Sequence, residues 1–320
     1  MSYFPERFHP TFVLMPTRTT YRTLASGGLD HRHTALRLWR KAKRLGVWNP
    51  DAFDLSRDAE DWRRLAPPER DMLMQLAALF MAGEEAVTRD LLPLLRAVSE
   101  DGYLEDEIYL TSFLWEEAKH VDLFDRFFTE VVGGHEDLHH YQGDHYRRLF
   151  GEELPRAMNR LYTDASPEAQ AEASVVYNMI VEGVLAETGY HSWYTILRRR
   201  GIMPGMLEGI EHVQRDEARH IRYGVYLLAR LIAAHGEGVW QTIQAKMAEL
   251  MPVAVGVFVE GFERLERVHG HIPFGLDPEE FAEYAMSQFQ KRLIRLEKAR
   301  RQSLDEVLYR EPAPDPDVQN

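Results

Sequence analysis

Glu116-Glu117-Ala118-Lys119-His120 and Asp216-Glu217-Ala218-Arg219-His220 are two copies of one pattern: acid, Glu, Ala, base, His. In each copy a glutamate and a histidine stand three residues apart, a spacing that sets two side chains one turn apart on one helix face. The spacing alone says little, because Glu-x-x-His occurs five times in the chain, also at Glu6/His9, Glu136/His139 and Glu266/His269. Those three fall in an irregular proline-flanked segment, at a helix start behind Gly133-Gly134, and at a helix end before Gly270. Only Glu117/His120 and Glu217/His220 lie in the middle of long helical patterns.

Each of these pairs is preceded, about one helix earlier, by a glutamate in small or apolar surroundings. Glu84 closes Phe80-Met81-Ala82-Gly83-Glu84, and Glu182 sits in Met179-Ile180-Val181-Glu182-Gly183. The intervals from Glu84 to Glu117 and from Glu182 to Glu217 differ by only two residues. The chain therefore reads as two helical hairpins, each supplying Glu and then Glu-x-x-His, the ligand arrangement of dimetal-carboxylate bundles. Four glutamates and two histidines are oxygen and imidazole donors that suit Mn, Fe or Zn. The bland alternative is a set of solvated glutamates with Lys119 and Arg219 as surface partners. Glu182 speaks against it, since Val181, Val184 and Leu185 surround it and a buried unpaired carboxylate is costly.

Four helices of about 30 residues, each roughly 45 Å long, carry the pattern. The first starts at Pro67-Pro68-Glu69, with proline where its missing N–H does no harm, and runs to about Val98. The second spans about Tyr103–Val132 and stops at Gly133-Gly134. The third opens at Ser166-Pro167-Glu168, an N-cap followed by proline, and ends at Arg198-Arg199-Arg200-Gly201, cations and then a C-cap glycine. The fourth runs from Pro204 to Gly236. Shorter helices are predicted at Thr34–Leu45, about Glu136–Phe150, Gly238–His269 and Pro278–Arg301. Strand signals are scarce. The prediction is an all-α fold, a ferritin-like four-helix bundle with additional flanking helices. It forms a single domain over residues 1–310, because long helices override the usual prior of about 100–200 residues per domain. The proline- and acid-rich tail, 311–320, reads as disordered.

With 45% hydrophobic residues, the 320-residue chain can build a core, and no stretch of 18 or more uncharged apolar residues appears. No transmembrane segment is expected. Residues Met1–Met15 lack the apolar core of a signal peptide, so the expected location is cytoplasmic. A net charge of −13 leaves no basic excess to neutralise a phosphate backbone, which argues against nucleic acid. With no cysteine, disulfides, thiolate nucleophiles, iron–sulfur clusters and Cys-ligated zinc are excluded.

From about Trp62 to Phe274 the chain resembles the ribonucleotide reductase small-subunit superfamily, and within it the ligand-binding oxidases that carry a mixed manganese/iron centre. The resemblance rests on Gly83-Glu84-Glu85-Ala86-Val87-Thr88, Glu116-Glu117-Ala118-Lys119-His120, Val176-Tyr177-Asn178, Val181-Glu182-Gly183 and Thr188-Gly189-Tyr190. It favours Glu84 over the adjacent Glu85, since Val87 then follows three residues later. It implies Mn held by Glu84, Glu117 and His120, Fe held by Glu182, Glu217 and His220, and Glu117 as a bridge; a di-iron pair is the alternative loading. It also implies an ether link between Val87 and Tyr177 near the centre, formed by self-oxidation, where core packing is the plain alternative. Tyr177 stands five residues before Glu182, so α-helix geometry does not place the two on one face. Asp216 is the expected ring N–H partner of His120.

The function implied is an oxidoreductase that activates O2 and oxidises a long-chain fatty acid or similar ligand in an apolar tunnel, as a homodimer. Gly83, Gly183 and Gly189 each cost about 1 kcal/mol inside a helix, which either makes room for a ligand or permits close helix packing. Met179, Leu185, Phe113 and Trp193 are candidate tunnel residues. Two other classes stay open: a radical-generating small subunit of ribonucleotide reductase, and a ferroxidase or metal store. Phe124 stands where radical-forming subunits usually carry tyrosine, seven residues after Glu117. The histidines His135, His139, His140 and His145 read as a polar helix start.

Overall fold

The structure, a computed structural model, describes residues 20–309. Glu6/His9, the segment Met1–Met15 and the tail 311–320 lie outside the described residues. The chain divides into two units, Met1–Asp30 and His31–Asn320. In the first, a short 3-10 turn covers Arg22–Leu24. The second carries the whole candidate site.

Helices dominate the second unit, and no strand occurs among the described residues. α1 is Thr34–Leu45, α2 Ser56–Arg64, α3 Pro67–Glu100 and α4 Leu104–Arg126, the last continuing as a π-helical turn, Phe127–Val132. α5, Asp144–Tyr146, passes through a π-helix, Arg147–Glu153, into α6, Leu154–Arg160. α7, Pro167–Ser174, passes through a longer π-helix, Val175–Ala186, into α8, Glu187–Arg200. α9 is Pro204–His235, α10 Glu237–His269, α11 Pro278–Ala299 and α12 Leu304–Tyr309. The four long helices thus lie where the sequence puts them, but the third is π-helical over its central twelve residues. The helix expected over Glu136–Phe150 starts later, at Asp144, and runs on through Arg160. Gly133 and Gly134 hold φ of 101° and 145°, and the Asp137 carboxylate takes the His139 N–H at 3.1 Å, so a turn replaces its first part. Neither α2 nor α12 is foreseen by the sequence reading; both are short.

Local chemistry fixes the hairpins. The Glu69 carboxylate accepts the Ala66 N–H at 2.9 Å at the start of α3. Gly102 (φ 80°) and Gly201 (φ 63°) make the tight α3–α4 and α8–α9 connections, a left-handed geometry glycine adopts without penalty. The start of α9 is capped from outside: Asp58 of α2 accepts the Gly205 and Met206 N–H groups at 3.0 and 2.5 Å, and Asp61 accepts that of Met203 at 2.9 Å. Those two carboxylates hold Met203 at a positive φ of 50°.

α3 packs on α4, and α9 packs on α4, α8 and the Val175–Ala186 segment, which closes the four-helix core. α10 and α11 cover the same π-helical segment from outside, and α1 lies along α4 and α9. Along α3, Phe80 belongs to one buried apolar cluster and Val87 to another, with Glu84 between them. Among the described residues one helix, α10, is long and apolar enough by length and composition to cross a membrane. It packs against α3, α5, α7, α9, α11 and the π-helix.

Candidate metal centre

Each core helix brings its expected side chain to one place: Glu84 from α3, Glu117 and His120 from α4, Glu182 from the π-helix, Glu217 and His220 from α9. All six are buried. Two sets of their donor atoms lie within 4.8 Å of one another, Glu84, Glu117, His120 and Glu217 in one, Glu117, Glu182 and His220 in the other. His120 Nδ1 stands 3.3 Å from Glu84, 3.4 Å from Glu117 Oε2 and 3.4 Å from Glu217 Oε1. His220 Nδ1 stands 3.2 Å from Glu117 Oε1, 3.7 Å from Glu182 and 3.6 Å from Glu217 Oε2. Glu117 and Glu217 therefore both offer one oxygen to each side. The sequence reading gave that bridging position to Glu117 alone. Glu85, the rival of Glu84, points outward and pairs with Arg89 at 2.8 Å.

Both histidines turn Nδ1 inward and Nε2 outward, and each Nε2 meets an acid from the other hairpin. His220 Nε2 lies 2.9 Å from Glu116, and His120 Nε2 lies 3.5 Å from Asp216. Asp216 is the expected partner of His120; Glu116 is missed by the sequence reading, although the repeated acid-Glu-Ala-base-His pattern implies it by symmetry. The bases of the motif are buried too, contrary to the surface role considered for them. Lys119 Nζ donates to Asp216 at 3.1 Å and to the Gly46 carbonyl at 2.6 Å. Arg219 donates to Glu116 at 2.6 Å and also to Asp216. Trp48 Nε1 donates to the same Asp216 at 2.8 Å. The two outer acids of the pattern, Glu116 and Asp216, thus each meet a cation that offsets their charge.

The π-helix resolves the position of Tyr177. Its i→i+5 pattern widens the turn, so residues five apart come to one side, as Tyr177 and Glu182 do. Tyr177 Oη donates to Glu117 Oε1 at 3.3 Å and to the Val87 carbonyl at 3.2 Å. Asn178 Nδ2 donates to Glu182 at 3.0 Å, and Ser174 Oγ to Asn178 at 2.9 Å. Gly224 on α9 has no Cβ because Asn178 fills that space.

Five inward atoms of the cluster have no hydrogen-bond partner despite their burial: Glu117 Oε2, Glu182 Oε1, Glu217 Oε2, His120 Nδ1 and His220 Nδ1. Orphaned buried donors and acceptors are expensive, and here they converge. A pair of divalent cations satisfies them, and the donor set fits Mn and Fe. Without a metal, burial raises the Glu84 carboxyl to about 8, against the pull of His120. Burial and then Glu217 hold Glu182 well above its ordinary value. Burial opposes charge on Glu117 as well, but His120 and His220 outweigh it and bring that group to about 2. Both imidazoles are raised well above normal: burial disfavours their charge, and the neighbouring acids, Glu84 first for His120 and Glu217 first for His220, prevail.

A cavity of about 110 Å3 adjoins it. Its wall includes Glu84, Glu182 and Glu217, then Val87, Gly83, Phe80 and Gln75 along α3, Leu185 and Gly189 opposite, and Phe258 and Phe262 from α10. Of the four candidate tunnel residues only Leu185 lines it. Phe113 instead stacks on His220 at 3.6 Å between ring centres, Trp193 packs against Phe124 and Phe127, and Met179 is buried in the core. A Cβ on Gly189 would meet the Phe80 ring at 2.5 Å, and one on Gly183 would meet the Asn178 carbonyl at 2.9 Å. Close packing explains these two. Gly83, with its nearest neighbour at 3.6 Å, borders open space.

Among the described residues, the other two Glu-x-x-His pairs, Glu136/His139 and Glu266/His269, do not gather donors. His139 pairs with exposed Asp137, and His269 with Asp71. His135 and His145 go separately to Asp125 and Glu260, so the histidine cluster forms no common site.

Residues 31–297 match the model of the ribonucleotide reductase small chain. Among solved structures, the chain is similar to an R2-like ligand-binding oxidase with aerobically reconstituted Mn/Fe cofactor, at 39% identity over 87% of this chain and 98% of that one, with a TM-score of 0.82. A mutant of such an oxidase, with anaerobically reconstituted Mn/Fe cofactor, matches over the same shares at 39% identity and a TM-score of 0.81. A third, aerobically reconstituted, matches at 40% identity over 84% and 98%, with a TM-score of 0.79. The all-α bundle, the paired Glu-x-x-His helices and this similarity over nearly the whole second unit agree, and the chain belongs to the ribonucleotide reductase small-chain family, with the R2-like ligand-binding oxidases.

Proposed function

We propose that the protein is an O2-activating oxidase whose manganese is held by Glu84, Glu117 and His120 and whose iron is held by Glu182, Glu217 and His220, acting on a long hydrophobic ligand of the fatty-acid class. When bound, such a pair supplies two-electron oxidation with O2 as oxidant. The observation that carries the reading is the junction of the buried cluster with the apolar cavity, where Glu84, Glu182 and Glu217 form one end of the wall. A long aliphatic chain in that cavity would lie against Phe80, Leu185 and Phe262 with one end at the carboxylates, and water would be excluded from it. Glu116 and Asp216 orient the two imidazoles by their outer ring nitrogens. The Mn/Fe content of the similar oxidases supports the choice of metals. Dimerisation follows the family resemblance.

Val87 and Tyr177 are the residues we assign to self-oxidation. The Tyr177 hydroxyl approaches both the Val87 backbone and Glu117, so a carboxylate stands ready for the phenolic proton. Joining the two residues as an ether breaks one O–H and one C–H bond, and the two electrons and two protons pass to O2. The test is to load metal-free protein with Mn(II) and Fe(II) under argon, admit O2, digest, and search by mass spectrometry for a Val87–Tyr177 peptide lacking two hydrogens. Its presence supports the oxidase reading. Its absence, with both metals bound, removes the self-oxidation and returns the radical-subunit reading.

A further inference from the structure

A file of aromatic rings leaves the metal cluster, and none of its members lines the cavity. Phe113 stacks on His220 and meets Tyr177 edge-on at 5.8 Å between ring centres. Tyr109 follows at 6.1 Å from Phe113, Tyr223 at 4.9 Å from Tyr109, and Tyr226 at 5.7 Å from Tyr223. Beyond Tyr226 comes His33 at 5.8 Å, which also meets Tyr103 and the partly exposed Tyr309 at 5.6 and 6.2 Å. Three buried tyrosines in a row are poor core residues, since a buried phenol wants a hydrogen-bond partner. The Tyr109 and Tyr223 hydroxyls have none.

Tyr226 differs. Its hydroxyl lies 3.3 Å from Asp106 Oδ2 and 3.3 Å from His33 Nε2. A phenol that loses an electron becomes a strong acid and must shed its proton, so an oxidised tyrosine is stable only beside a base. Tyr109 and Tyr223 offer the electron a contiguous π-path and no resting place; Tyr226 offers a resting place. The groups that face Tyr226 are Asp106 from α4, His33 beside α1 and Arg230 from its own helix, whose Nε lies 3.8 Å from Asp106. Burial raises the Asp106 carboxyl to about 7, against the pull of Arg230, which leaves it able to take a proton near neutral pH.

We propose that Tyr226 is a redox-active residue at the end of a hole-transfer path, His220/Tyr177–Phe113–Tyr109–Tyr223–Tyr226, that carries an oxidising equivalent from the metal centre toward the Tyr103/Tyr309 surface. A loaded centre oxidised by O2 would supply the one-electron oxidant; Tyr226 would give up one electron along the ring path and its phenolic proton to Asp106. A neutral phenoxyl radical remains, and an external one-electron donor with a proton restores the phenol. Such a path empties an oxidised centre that finds no ligand, and run as a supply line it admits electrons for turnover. The inference rests on the oxidase reading above.

The test is freeze-quench EPR of Mn(II)/Fe(II)-loaded protein after O2, with O2 uptake measured in parallel. The expected result is a phenoxyl signal that persists in Tyr177→Phe and is lost in Tyr226→Phe. In Phe113→Leu, which leaves Tyr226 and its partners untouched, the signal should fall at least tenfold at equal metal content. A small nitroso spin trap should mark Tyr226 in the tryptic map, a readout independent of turnover. Normal O2 uptake with no phenoxyl signal, or with a signal unaffected by Tyr226→Phe, overturns the path and leaves the oxidase reading standing. Absence of O2 uptake by fully loaded protein overturns both.

Discussion

Glu116 touches no inward-facing donor of the cluster, yet it fixes His220 by its outer nitrogen and neutralises Arg219. Glu116→Gln keeps an acceptor for the ring and removes the charge. The expected loss is about 10–100-fold in metal affinity, greater for the metal beside His220, read by anaerobic Fe(II) titration; equal affinity would show that the outer nitrogen needs no carboxylate. Two glycines give opposite expectations. Gly189→Ala forces Phe80 off its stack with Phe124, at 5.2 Å between centres, and should destabilise the metal-free protein by about 1–3 kcal/mol. Gly83→Ala meets only ordinary contacts and should gain up to about 1 kcal/mol from helix propensity. Thermal melts of the two variants should move in opposite directions.

At the scale of elements, the second hairpin depends on a helix outside the bundle. Asp58 of α2 accepts two backbone N–H groups at the buried start of α9, the helix that supplies Glu217 and His220. Asp58→Ala should cost about 2 kcal/mol, the upper end for a lost cap, measured by urea unfolding of metal-free protein. If α2 were dispensable the midpoint would not move. The π-helix Val175–Ala186 is the other decisive element, because it aims Tyr177 at Glu117 and Asn178 at Glu182.

For the molecule as a whole, the cluster ties stability to pH and to metal. Glu84, Glu182, His120 and His220 are all raised in the metal-free fold, so folding takes up protons between the ordinary carboxyl value of 4.5 and Glu84's value of about 8. Stability of the metal-free protein therefore falls as pH rises through that window. Glu117, held at about 2, acts in the opposite sense, its contribution lost only as pH falls below 4.5. Metal binding displaces those protons, so the stabilisation it confers grows with pH. Melting temperatures of metal-free and Mn(II)-loaded protein, compared from pH 5.5 to 8, should diverge as pH rises; a constant gap would sink this account.

The sequence by itself determined the hairpins, their helix starts and stops, and the six side chains that converge. All of these follow from local rules: a three-residue spacing fixes one helix face, and proline, serine and glycine mark the ends. It also set Glu117/His120 and Glu217/His220 mid-helix, apart from Glu136/His139 and Glu266/His269, since position within a helix is a local property. Tertiary structure decided what passes between helices. It chose Glu116 for His220, let Glu217 span both histidines, buried Lys119 and Arg219, and excluded Met179, Phe113 and Trp193 from the cavity. It also brought Tyr177 to Val87, because a π-helix hides in a sequence that reads as ordinary α-helix, and aligned Tyr109 with Tyr223 and Tyr226 of a distant helix in one file. Helix register and crossing angle come from the packing of whole faces, which no single stretch of chain contains.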